Sequence, residues 1–424
     1  MDQRGLTAAR KRATIVEVNA RPIPSTDSLI LVATSADPAA ITAAMRPRLP
    51  PAVWALLLML IAGTVYGVAR GLRHRDLVDF EVYSRAGNRV LAHAPLYRPD
   101  DGHYQFKYLP LFALAVVPFA RIDQETAKAV WFVMSFGLLV AFVRRSVRAL
   151  PDRRMSEVAL AWLAVLFVGR FYVKELILGQ ANIIFGLLLI LALTAVQARR
   201  SSLAGILVGL ATFVKPYGVV FLPWLAVAGG IAALASAAVV LVVGVALPAV
   251  SYGWSGNLAL LNGWYQTVTS TTPENLLFGE NISLATMWAK WVGPGRAATI
   301  LATACGIGLL ALVGWAWSRR ASVNEPNYLE FAMLMALVPL LSPQGWNYVL
   351  VLATPAVILL IDRLRDLTWP WRVLSGAAVA VAGLTIYDLI GRAIYSSFLQ
   401  WSLVSVAAIV FVVSLTHLRM RALA

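Results

Sequence analysis

Long apolar runs cut by short polar breaks recur along the whole chain. A helix needs roughly 20 apolar residues to cross a hydrocarbon core of about 30 Å, and that is the recurring unit. The first run spans about 51–70. Others fall at about 128–147, 156–173, 180–197, 203–214, 218–228, 231–250, 297–317, 326–342, 348–361, 371–390 and 396–416. The stretch 108–120 is apolar but brief, and its length predicts a half-helix that does not cross. Proline stops or kinks a helix, so Lys215-Pro216 should break the apolar stretch 203–228. The pattern predicts an all-α polytopic membrane protein, a bundle of about 11–13 transmembrane helices. Residues 1–48 read as a cytoplasmic N-terminal tail and 49–424 as the membrane domain. Within it, 71–107 forms a large first polar loop.

Composition narrows the class. The 424 residues are 59% hydrophobic and 13% charged, against roughly 45–50% and about 25% for soluble chains; mean hydropathy is +0.73. A soluble periplasmic enzyme, a nucleic-acid binder and a disulfide scaffold are excluded, and the surroundings are membrane lipids. The net charge of +15 comes from 36 basic and 21 acidic residues. The arginines cluster at the ends of apolar runs, where the positive-inside rule puts them. Placing every arginine cluster inside leaves 71–107, 174–180, 215–217, 251–295 and 342–347 outside. The single cysteine, Cys305, sits in an apolar run and reads as helix packing.

Polar residues gather on that outer side. Charges near the bilayer are costly and usually functional, and Lys107, Lys174 and Lys215 all fall at outer helix ends. Lys215 is the most telling, because a helix broken at proline can turn an ammonium towards an anion in a cavity. Snorkelling to the interface is the plainer alternative. Gln180 and Asn182 stand at the outer start of an apolar helix. Two residues apart, they point about 200° from each other, so one should face the bundle interior. The segment Ser342-Pro343-Gln344-Gly345-Trp346-Asn347-Tyr348 carries more hydrogen-bonding and aromatic groups than a bare turn needs. In the first loop, Asp79 lies between Val78 and Phe80, which suggests partial burial, whereas Asp76 adjoins Arg75. A partly desolvated carboxylate has a raised pKa and can serve as a general base. The loop histidines His74, His93 and His103 fit no compact zinc spacing, so neither a metal nor a cofactor is expected.

Taken in order, these motifs resemble a known family. Asp79-Phe80-Glu81-Val82-Tyr83, Ala86-Gly87 and Pro95-Leu96-Tyr97 are similar to the first outer loop of the polytopic glycosyltransferases of family 87. The similarity continues through Phe106-Lys107-Tyr108-Leu109-Pro110-Leu111, Leu178-Gly179-Gln180-Ala181-Asn182, Lys215-Pro216 and Leu341 to Tyr348, so it covers about 70–350. That family belongs to the GT-C class, which uses polyprenyl-phosphate sugars and includes bacterial mannosyltransferases. The resemblance implies a multi-pass protein of the bacterial cytoplasmic (inner) membrane with its active site facing outside. It also implies transfer of a hexose, most simply mannose, from a polyprenyl-phosphate donor to a lipid-linked or glycan acceptor, with inversion. Asp79 would then be the catalytic base. Lys107 and Lys215 would hold the donor phosphate, and Gln180, Asn182, Trp346, Asn347 and Tyr348 the sugar or acceptor. Two departures stand out. Leu109 replaces the first of two adjacent prolines, and Asn347-Tyr348 follows the motif tryptophan where the family often has histidine. A transporter or flippase of a lipid-linked sugar is the competing class. Such proteins often show paired internal repeats, and no second copy of the loop or of the Lys-Pro break is present.

Overall fold

Hydrocarbon offers a backbone no hydrogen-bond partners, so a spanning segment must pair its N–H and C=O groups internally. The structure, a computed structural model describing residues 77–423, meets that demand with helices. Among the described residues the β structure is one antiparallel bridge between Asn281 and Trp346. The expected tail at 1–48, the span at 51–70, His74 and Asp76 lie outside the described residues.

The described residues begin with α1 (Val78–Leu91). Two short helices follow, Pro110–Ala115 and Val117–Ala120, and at six and four residues neither can cross. Then come α2 (Gln124–Ala149), α3 (Glu157–Leu178), α4 (Asn182–Gln197), α5 (Ser201–Val214), α6 (Leu222–Ala246) and α7 (Ala249–Glu274). The second half holds α8 (Leu284–Val292), α9 (Arg296–Ser318), α10 (Asn327–Leu341), α11 (Thr354–Asp362), α12 (Trp369–Leu384), α13 (Arg392–Gln400) and α14 (Leu403–Leu423). Among the described residues four helices are long and apolar enough to cross alone: α2, α6 with its lead-in from Pro216, α9 and α14. Shorter apolar helices are α4, α5, α10 and the joined stretch Asn347–Asp362. The chain is thus an all-α polytopic membrane protein. Several helices are short because polar breaks at Gly179, Lys215 and Ser342 stop them where the cavity described below begins.

Helix α10 sits at the centre, buried on all sides from Tyr328 to Leu340 apart from Leu329. A helix apolar all round belongs in such a position. It packs on α14, α11 and the turn 347–353. The outside of the bundle is also apolar, with Ile231 81% and Val250 84% exposed. Water would penalise that surface; lipid does not.

Three expectations from the sequence need correction. The stretch 251–295, placed outside and given no helix by the apolar pattern, is mostly helical, with α7, broken near its start at Gly253, then a turn and α8. Its Ser/Thr-rich sequence carries no apolar periodicity, yet the Thr269, Thr271 and Thr272 hydroxyls donate to carbonyls four residues back, which lets a helix absorb them. The polar loop 71–107 contains α1, whose inward face buries Phe80, Tyr83 and Ala86. The run 396–416 is two helices, because Ser402 turns left-handed (φ 52°) between α13 and α14. The expected break between 218–228 and 231–250 is present, because the backbone leaves helical geometry at Gly230 (φ 72°).

Candidate active site

The site is assembled at the junction of α1 with the C-terminal end of α3. Leu77 adopts a left-handed conformation, and its N–H donates to the Ile177 carbonyl at 2.8 Å, tying the loop to α3. Phe80, fully buried, packs on Trp131 with ring centroids 5.0 Å apart. That anchor sets the rotation of α1. Asp79 and Tyr83, four residues apart, then share one face and turn to the interior. Asp79 lies in the first helical turn, where the unpaired N–H groups favour a negative charge.

Helix α3 ends at Gly179 in a left-handed cap (φ 70°). A Cβ there would stand 2.9 Å from the Phe80 Cβ, so the turn rests directly on the anchor and accepts glycine alone. Its carbonyl accepts from the Trp131 indole at 2.9 Å. The turn delivers Gln180 beside α1, buried, ahead of α4. Its Nε2 donates to Asp79 Oδ2 at 2.7 Å and to the Tyr348 hydroxyl at 3.2 Å. Its Oε1 accepts from Tyr83 and Tyr108, each at 3.3 Å, and from Lys215 Nζ at 3.4 Å. One amide therefore links the carboxylate to the ammonium.

Lys215 caps α5 in an extended conformation, as a residue before proline should. Its Nζ donates to the Tyr108 hydroxyl at 2.7 Å and lies 4.4 Å from that ring's centroid. Lys107 donates to Gln344 Oε1 at 3.3 Å. Among the described residues no carboxylate lies within ion-pair distance of either ammonium. Both remain available to an incoming anion. Burial pushes the Asp79 carboxyl above the usual carboxylate value, while the Gln180 bond and the charges of Lys215, His103 and Lys107 oppose that rise. Burial likewise lowers Lys107 from the usual lysine value, against the pull of Asp79 and Glu274.

These groups line a cavity of about 600 Å³, which also takes in Tyr83, Tyr108, Lys174, Tyr217, Glu280, Trp346 and Tyr348. The Trp346 and Tyr348 rings are nearly parallel (8°), and Phe278 meets Trp346 edge-on. Gly345 makes this wall: a Cβ there would lie 2.0 Å from the Pro339 carbonyl oxygen. Its carbonyl accepts from Ile282 at 2.7 Å, which pins the segment before α8 across the cavity.

Of the residues expected to form the site, Asp79, Lys107, Gln180, Lys215, Trp346 and Tyr348 come together on this cavity. Asn182 and Asn347 do not line it. Asn182 is fully buried behind the wall, where Nδ2 donates to Glu175 Oε1 at 2.6 Å and Oδ1 accepts from Tyr217 at 2.9 Å. Asn347 opens the turn 347–353 and is buried, its side-chain oxygen without a hydrogen-bond partner among the described residues and its backbone N–H donating to the Glu280 carbonyl at 2.9 Å. Gln180 rather than Asn182 is the inward amide, and it lies in the turn, where helical angles do not apply. The sequence reading gave no individual role to Tyr83, Tyr108 and Gln344, which stand inside its motifs, and passed over Glu175, Tyr217 and Glu280. Glu175 carried a signal, being a carboxylate inside an apolar helix; Tyr83 carried the four-residue spacing from Asp79. Among the described residues no cluster of three or more His, Cys, Asp or Glu side chains comes together.

The profile of glycosyltransferase family 87 matches residues 106–343, which include Lys107, Gln180 and Lys215 but neither Asp79 nor Trp346. A protein of Mycobacterium tuberculosis (strain CDC 1551 / Oshkosh), named polyprenol-phosphate-mannose-dependent alpha-(1-2)-phosphatidylinositol pentamannoside mannosyltransferase, is 28% identical over 371 residues. The alignment covers 81% of this chain and 81% of that one. No solved structure gives a significant match.

Proposed function

The chain belongs to glycosyltransferase family 87, and from that premise we propose that it transfers mannose from a polyprenyl-phosphate donor to a lipid-linked or glycan acceptor. The relative named above supports this donor and sugar. The observation that carries the mechanism is the Gln180 amide, which holds a carboxylate and an ammonium on one cavity.

In this reading Asp79 takes the proton of the acceptor hydroxyl. Gln180 occupies Oδ2, which leaves Oδ1 to receive it. The acceptor oxygen forms a bond to the anomeric carbon as the bond from that carbon to the phosphate oxygen breaks. Attack opposite the leaving group inverts the configuration. Charge moves from the carboxylate to the departing polyprenyl phosphate, and fixed cations in a dry site stabilise such charge without reorganising. Lys107 and Lys215 supply them. Tyr83 and Tyr108 share a hydrogen bond and anchor Gln180. The parallel faces of Trp346 and Tyr348 suit a sugar ring. Tyr348, one of the two residues that follow the motif tryptophan where the family often has histidine, accepts from Gln180. Asn182 and Asn347 support the wall from behind.

With arginine clusters such as Arg144-Arg145, Arg199-Arg200 and Arg363-Arg365 inside, the cavity faces outward. The inner membrane of a bacterium is the setting we assign. Membranes bearing the protein should transfer label from polyprenyl-phosphate mannose to an acceptor without any nucleotide sugar. Transfer from a nucleotide sugar, with no lipid-phosphate sugar formed on the way, would sink the donor assignment.

A further inference from the structure

A polyprenyl-phosphate sugar uses only part of this cavity. Lys107, Lys215 and Asp79 take the phosphate and the anomeric centre, yet a further charged group stands on the wall. Glu280 lies in the turn between α7 and α8, and its Oε2 is ion-paired with Lys174 of α3. The Tyr395 hydroxyl of α13 donates to Oε1 at 3.3 Å. Both members of the pair line the cavity and are partly exposed, Glu280 at 26% and Lys174 at 35%. The antiparallel bridge between Asn281 and Trp346 holds the Glu280 segment beside the Trp346 segment, and both side chains line the cavity.

We propose that Glu280, with Lys174 and the Trp346 face, is the subsite for the acceptor, and that it takes a neutral polyhydroxylated ring; this rests on the donor reading above. A carboxylate offers about four acceptor positions, and Lys174 and Tyr395 occupy two. The rest can take hydroxyl protons from a sugar, while Lys174 can donate to a neighbouring hydroxyl. Ion-paired with each other, Glu280 and Lys174 carry no net charge, so they add no free cation for the donor phosphate beyond Lys107 and Lys215. Nor do they offer one to an anionic acceptor unit, and their donors and acceptors suit a neutral sugar. The Trp346 indole supplies an apolar face for the ring's C–H groups. The bond-making chemistry is unchanged; Glu280 and Lys174 act by binding.

The full chain, reconstituted in lipid, should be tested with polyprenyl-phosphate mannose as donor and octyl α-mannoside and its monodeoxy analogues as acceptor probes. Glu280→Ala should raise the acceptor KM by about 10–100-fold, the loss expected for a hydrogen bond to a charged group. The donor KM should stay within about twofold. One deoxy analogue should already be weak with wild type and lose nothing more in Glu280→Ala, because the missing hydroxyl is the one Glu280 binds. Glu280→Gln, which keeps an acceptor oxygen, should lose less and serves where the alanine variant fails to insert. A loss falling on the donor KM, or an equal loss for every deoxy analogue, would overturn the subsite. So would wild-type transfer to native membrane acceptors but to no octyl glycoside. Wild type transferring nothing from the donor to any acceptor would instead refute the donor reading, and the subsite with it.

Discussion

At the residue scale the chemistry turns on Gln180, because a neutral amide is the group that can donate to a carboxylate and accept from an ammonium at once. Gln180→Leu should keep the side chain's bulk, leave the Asp79 and Lys215 groups short of a partner, and lower stability by about 1–3 kcal/mol, read as thermal unfolding in detergent. Asp79→Asn preserves size and the bond from Gln180 but cannot take a proton. We expect it to insert normally and lose about 10²–10⁴ in kcat; turnover within a few-fold of wild type would remove Asp79 as the base. The pH dependence has a definite sign. The base must be ionised, so activity falls as pH drops through its pKa, and burial places that limb above the ordinary aspartate range. Glu81→Gln should retain most activity, since Glu81 is paired with Lys128 at 2.7 Å away from the cavity. Lys215→Ala should cost about 10²-fold in kcat if it stabilises the leaving phosphate, with Lys215→Arg keeping part. Wild-type turnover at saturating donor would leave it only a snorkelling lysine.

Among the elements, the breaks matter more than the helices. Pro216 releases the Lys215 ammonium from α5, Gly179 turns Gln180 onto α1, and Gly345 lets the aromatic wall close against α10. Gly345→Ala would set a methyl against the Pro339 carbonyl and push the Glu280 segment away. Overpacking of this kind typically costs about 1–3 kcal/mol. The unfolding temperature and the transfer rate should therefore fall together. Gly314→Ala in α9, with nothing within 4 Å of the added carbon, is the matching control and should lower neither, since alanine favours a helix over glycine.

For the whole molecule the testable claim is orientation. In a Cys305→Ser background, cysteines placed at Ala92 and Ser270, both exposed, should react with an impermeant thiol reagent in whole cells. A cysteine at Ser201, next to Arg199-Arg200, should not. The reverse pattern would put the cavity inside and overturn the outward assignment. The bundle also explains why an enzyme suits this cavity better than a flippase: α1 is packed through Phe80 onto Trp131 of α2, and the Gln180 amide ties Asp79 of α1 to Lys215 at the end of α5. Asp79 and Lys215 thus share one frame, whereas alternating access would need them to part.

Apolar periodicity and charge by themselves determined the all-helical, multi-pass class and most helix positions, because span length and backbone pairing are set locally by the hydrocarbon solvent. They also singled out Asp79, Lys107 and Lys215, since a charge beside a bilayer is expensive wherever it sits. Which amide faces inward was beyond them. Gln180 and Asn182 are equivalent in composition, and only the left-handed turn at Gly179 sends one to the cavity and the other to Glu175. Tyr83, Tyr108 and Glu280 likewise acquire meaning through partners 25 to 115 residues away. The helix in 249–274 was hidden too, its polar side chains bonding back to their own backbone. Local pattern sets what each segment must be; contacts between distant segments decide which of its side chains meet, and that meeting is the site.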